Sequence, residues 1–203
     1  MPELSQIFTF LFLMLGPFKI IGPFKQLTRN ASPALIRQVA IKAIVVSSIA
    51  LLLAGLLGEK ILENFGIPVP ILGISAGLIL FLVALLNTIK QFVPETESPA
   101  LEAPALEPGM ALSPVAFPTI VTPYGIGAVI VFLALAPDLN SKLAVGGLVL
   151  VIMVINLLIM FVTNKIGKKL MILFAILGAI LGLVQVALGF MIMYNQFREL
   201  LKG

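Results

Sequence analysis

The 203-residue chain is 60% hydrophobic and 11% charged, with no Cys, His or Trp. Soluble domains run about 45–50% apolar and about 25% charged, so this apolar excess needs a solvent other than water, and the bilayer supplies one. The missing residue types exclude disulfides, thiolate nucleophiles, imidazole bases and ordinary zinc sites, and the net charge of +4 is spread over short loops with no basic block suited to nucleic acid.

Six apolar stretches approach the roughly 20 residues that cross a hydrocarbon core. They fall at 4–27, 38–57, 69–89, 111–135, 143–162 and 171–194. The first is not expected to be a cleavable signal: it opens on Glu3 instead of a basic region, and prolines interrupt its apolar core. A short polar segment with Glu59, Lys60 and Glu63 separates the second and third stretches. Between the third and fourth, residues 94–108 read PETESPALEAPALEP, which carries too little apolar surface to pack and reads as a flexible tether. The expected organisation is a first three-helix unit at 1–92, an acidic Pro-rich linker at 93–110 and a second three-helix unit at 111–203.

The two units resemble each other. At an offset of 106, Pro17-Phe18 falls on Pro123-Tyr124 and Ile20 on Ile126; at 105, Leu72-Gly73 and Gly77-Leu78 fall on Leu177-Gly178 and Gly182-Leu183. Pro and Gly matches carry the weight, since those residues fix backbone behaviour. Three spans per unit is an odd number, so the second unit must enter the membrane from the opposite side. The expected fold is an all-α membrane protein of six transmembrane helices, arranged as two inverted three-helix repeats. Arg29, Arg37, Lys90, Lys165, Lys168 and Lys169 fall on one side, against Lys60, Lys142, Arg198 and Lys202 on the other. That excess makes the loops between spans 1–2, 3–4 and 5–6 the expected cytoplasmic ones.

The first and fourth spans carry the unusual chemistry. Gly16-Pro17 and Gly22-Pro23 punctuate the first; Pro114, Pro118 and Pro123 punctuate the fourth, with Gly125 and Gly127 following. Each Pro removes an N–H and clashes with the carbonyl four residues back. Two Gly-Pro pairs six residues apart predict a broken first helix, and the fourth is expected to break likewise. Irregular backbone at membrane depth persists only where it is packed in protein or lines a cavity. Broken helices at corresponding places in two inverted halves point to a transport site.

The motifs PFKIIGPF (17–24), EKILENFG (59–66), GISAGLILF (73–81) and PVAFPTIVTPYGIG (114–127) together resemble the MarC family of six-span membrane proteins, distantly grouped with lysine-exporter-type transporters. The resemblance covers the chain except the acidic linker. It implies an inner-membrane protein transporting small neutral amino acids such as glycine or alanine. Where the family usually has Asp or Asn before the first Pro and Gly two residues after it, this chain has Gly16 and Lys19.

Lys19 sits mid-span, where an ammonium costs about 2.5 kcal/mol or more. Either it snorkels to water, or it is a fixed cation in a cavity, pairing with a substrate carboxylate or standing in for a coupling cation. Asn156 and Gln185 line a cavity or bond between helices. Ser and Thr in the spans are expected to bond the carbonyl one turn back. The small-residue rows Gly73, Ala76, Gly77 and Gly178, Gly182, Gly189 are expected to allow close helix packing.

The leading expectation is therefore a secondary transporter, with a channel as the rival and an enzyme the weakest reading. The candidate substrate-binding residues are Gly16, Pro17, Lys19, Gly22, Pro23, Pro118, Thr119, Thr122, Pro123, Gly125, Gly127 and Asn156. No cofactor is expected. Na+ or H+ coupling stays open, although no acidic residue inside a span could relay protons. The expected partners are the bilayer, a small-molecule substrate and, in an oligomer, further copies of the chain.

Overall fold

The computed structural model describes residues 3–90, 106–163 and 168–201, without the side chains of 87, 90 and 168–175. Most of the acidic linker lies outside the described residues, as do Lys165 and Lys202 and the side chains of Asn87, Lys90, Lys168 and Lys169. Every regular element among the described residues is helical.

Helix α1 (Leu4–Leu15) starts where the Gln6 side chain accepts the Glu3 N–H at 3.3 Å. It stops because Gly16, ahead of Pro17, is extended (φ −75°, ψ 176°). A residue before Pro is pushed out of the helical region by the ring. Helix α2 (Phe18–Leu27) follows at once and runs through Pro23. The interruption thus lies at Gly16-Pro17, and the helix continues through Gly22-Pro23. One missing N–H removes a single bond, and Ile20, Ile21 and Phe24 hold this stretch in the core.

Helix α3 (Pro33–Phe65) is capped by Ser32, whose hydroxyl accepts the Leu35 N–H at 3.3 Å, and ends on left-handed Gly66 (φ 59°). It is longer than the expected span at 38–57. The Glu59–Glu63 segment is rich in good helix formers and continues the helix instead of forming a loop. At about 1.5 Å per residue α3 is about 50 Å long, so its ends leave the hydrocarbon. Helix α4 (Val69–Lys90) completes the first half.

The second half opens irregularly. A 3₁₀ turn (Pro108–Ala111) leads into a wide π-type stretch (Leu112–Ile120) interrupted by extended Ser113 and Phe117, each preceding a Pro. Helix α5 (Pro123–Ala134) leaves at 65° to this segment. Helices α6 (Leu139–Thr163) and α7 (Lys168–Leu200) complete the chain. Among the described residues, five helices are long and apolar enough to cross a membrane, or six when the bent pair counts as one span.

Packing pairs elements antiparallel. A Cβ at Gly73 would meet Gln196, and Gly182 faces Thr88, so α4 and α7 run in opposite directions. Gly146 faces Leu52 and Lys142 pairs with Glu59 at 2.5 Å, so α3 and α6 do the same. Phe10 meets Phe132 edge-on at 5.7 Å, while Leu15 lies against Gly125, so α1 opposes α5. The core gathers Leu11, Met14, Leu15, Leu51, Val129, Ile152 and Met153. Outward-facing Leu53, Leu57, Leu82, Leu86, Val154, Leu158 and Leu183 leave an apolar belt that water would not tolerate.

Candidate functional site at the helix break

The end of α1 poses a problem of unpaired carbonyls. A helix leaves its last four C=O groups without internal partners. The Gly16 N–H serves Phe12 O at 2.8 Å. Pro17 has no N–H for Leu13, and the extended backbone turns the chain away from Met14 and Leu15. A carbonyl orphaned away from water costs about 1–3 kcal/mol.

Three side chains from three helices answer it. Gln185 Nε2 on α7 donates to Leu13 O at 2.7 Å, and Asn156 Nδ2 on α6 donates to Leu15 O at 2.7 Å. Between them, Lys19 Nζ on α2 donates to Met14 O. A cation suits this place because a helix C-terminus carries a negative dipole end. Lys19 also lies over the Tyr124 ring, 5.2 Å from its centroid, a cation–π contact. Asn156 is fully buried, and its Oδ1 has no hydrogen-bond partner among the described residues.

The start of α5 abuts this cluster. Thr122 is extended (φ −108°, ψ 152°) before Pro123, as Gly16 is before Pro17. The Thr122 hydroxyl caps α5 by accepting the Gly125 N–H at 3.2 Å. A Cβ at Gly125 would lie 2.6 Å from Leu15 Cδ2, so glycine is what lets the start of α5 reach the end of α1.

A cavity of about 450 Å³ approaches from one end of the bundle. It descends along α1 from Gln6 through Phe10 to Met14 and is walled by α4, α5 and α7. Its polar groups, Gln6, Asn195 and Gln196, lie on the outer turns of α1 and α7. A separate hollow of about 530 Å³ lies beside the α2–α3 turn, lined by Gly22, Lys25, Arg29 and Ile36 among others.

The sequence matches the profile described as "MarC family integral membrane protein" over residues 1–201. The chain belongs to the MarC family. A UPF0056 membrane protein of Methanocaldococcus jannaschii is 30% identical over 196 residues, covering 94% of each chain. A UPF0056 membrane protein of Aquifex aeolicus is 29% identical over 150 residues, covering 71% of this chain and 70% of its own. No solved structure matches.

This MarC protein is thus an integral, multi-pass membrane protein. Its fold brings Gly16, Pro17, Lys19, Thr122, Gly125 and Asn156 to the helix break. Pro123 starts α5 there with its ring exposed. The fold does not bring the rest together. Gly22 lines the hollow beside the α2–α3 turn, and Pro23 is exposed. Pro118 is exposed, and the Thr119 hydroxyl donates to Pro114 O at 2.8 Å. Gly127 packs against Ala76 of α4, whose Cβ would lie 2.8 Å from an added one. The cavity along α1 is lined by none of the predicted binding residues. Sequence reasoning did not single out Tyr124 as the ring beneath Lys19. It also missed the cavity polar groups Gln6, Asn195 and Gln196, which lie at the span ends and look like ordinary solvated residues.

Proposed function

We propose that this MarC protein is a secondary transporter of small neutral amino acids, working by alternating access between two inverted three-helix repeats in the inner membrane. The observation that carries the reading is the meeting of two interrupted spans, with the α1 end against the start of α5, below a cavity that ends at Met14. The antiparallel pairs α3–α6 and α4–α7 are those that two oppositely inserted repeats would form. The starts of α2 and α5 provide positive dipole ends for a substrate carboxylate. On the other side of the break, Ile20, Ile21 and Phe24 are packed shut. A site open on one side only favours a carrier over a pore. The Lys and Arg bias supports a cytoplasmic α2–α3 turn and an outward-facing cavity mouth.

The test is counterflow of labelled glycine and alanine in proteoliposomes. Accumulation driven by preloaded unlabelled substrate is expected. No signal across a panel of neutral amino acids overturns the proposal.

A further inference from the structure

The carbonyl end of α1 resembles a cation site that already contains a cation. Half-helix C-termini and unwound carbonyls are what membrane carriers use to hold Na+. Here the ammonium on Met14 O comes from the chain itself. Each neighbouring carbonyl, Leu13 and Leu15, accepts one side-chain N–H, which leaves it a second lone pair. Asn156 Oδ1 shares its carboxamide carbon with the nitrogen bonded to Leu15 O, so it lies beside the same helix end. It is a strong acceptor, wholly buried and unpaired among the described residues. A buried orphan acceptor beside partly used carbonyls is the oxygen environment that hard monovalent cations seek. Native structures otherwise leave few such atoms without a partner.

We propose that Lys19, whose ammonium rests on the Met14 carbonyl, is a tethered cation that stands in for a monovalent cation at this helix end, so that this chain needs no Na+ from solution there. With the ammonium gone, Met14 O, the second lone pair of Leu15 O and the unpaired Asn156 Oδ1 beside it are the oxygens left for an ion from solution. Removing the ammonium empties the site and leaves Met14 O unpaired. Na+ from solution fills the vacancy, and binding restores stability in proportion to the logarithm of concentration above its Kd.

The inference goes beyond the transport reading and is tested by binding, so either can fail alone. Purified protein in nanodiscs is melted in choline, K+, Li+ and Na+ chloride at equal ionic strength, and equilibrium dialysis with labelled Na+ gives the stoichiometry. Wild type and Lys19→Arg are expected to melt at the same temperature in all four salts and to bind no stoichiometric Na+. Lys19→Ala is expected to melt lower in choline, to recover saturably with Na+ and to bind one ion per chain. Lys19→Ala combined with Asn156→Leu is expected to lose that recovery. Stoichiometric Na+ binding by wild type overturns the proposal, as does a Lys19→Ala protein indifferent to Na+. If Lys19→Ala and Lys19→Met both fail to fold even in Na+, the proposal is likewise refuted, because a free cation does not replace the tethered one.

Discussion

Gly189→Ala tests the packing of α4 against α7 most directly. A Cβ built at Gly189 lies 2.8 Å from both the Cβ and the backbone N of Phe81 and 2.9 Å from Gly77 O. Comfortable carbon contacts are about 3.5–4.0 Å, so the helices must part by about 0.7–1 Å, and a gap of that size forfeits about a quarter to a half of each contact's attraction. Two of the three obstructing atoms are backbone, so no rotamer change relieves them. Overpacking costs about 1–3 kcal/mol, and the upper part of that range applies here. Replacing Gly by Ala in a helix returns about 1 kcal/mol. The net expectation is a loss of about 1–2 kcal/mol. Gly178 on the same helix is the control: its Cβ would meet nothing within 4 Å among the described residues, so Gly178→Ala should hold or raise stability. Unfolding in mixed micelles by SDS titration measures both. A Gly189→Ala protein as stable as Gly178→Ala would refute the close-approach argument.

The carbonyl caps predict that Gln185→Leu lowers stability by about 1–2 kcal/mol in the same titration, through the orphaned Leu13 O. Asn156→Leu should cost less, because it removes the unpaired Oδ1 together with the bond to Leu15. At the start of α6, the Ser141 N–H donates to Asp138 Oδ1 at 2.7 Å, and this backbone bond holds the carboxyl below its ordinary value. A lowered folded pKa means stability that is present above the unfolded value of about 3.9 and is lost as pH falls through the folded one. Asp138→Asn should keep the cap and remove that component of acid destabilisation in melts from pH 6 to pH 2.5. The chain has no native Cys, so single-Cys variants need no background removal. Impermeant maleimide should reach positions 67, 138 and 196 from one side of sealed vesicles and positions 30 and 37 from the other. Labelling of 67 and 138 from opposite sides would contradict the Glu59–Lys142 pairing.

Hydropathy and proline made much of this protein legible before any coordinates. Membrane residence follows from composition, because apolar excess is a local property that needs no knowledge of neighbours. The interruption at Gly16–Pro17 follows from ring sterics, and so does extended Thr122 before Pro123. Back-bonding by Ser48, Ser75, Thr88 and Thr163 to the carbonyl one turn earlier is equally local, whereas buried Ser47 departs from it, its hydroxyl having no partner among the described residues. Sequence could not say which Gly-Pro pair interrupts the first span: the helix runs through Pro23, where burial of Ile20, Ile21 and Phe24 outweighs one lost bond.

Tertiary structure alone decided what the polar residues are for. Lys19, Asn156 and Gln185 stand far apart in sequence and share no motif. They converge because a helix broken in a low-dielectric medium leaves three consecutive acceptors, and only side chains arriving from other helices can meet them. Composition could state that hydrocarbon would punish an unpaired carbonyl. Which donor reaches which carbonyl depends on how α2, α6 and α7 pack around α1, and that packing is settled by the shapes of the whole bundle.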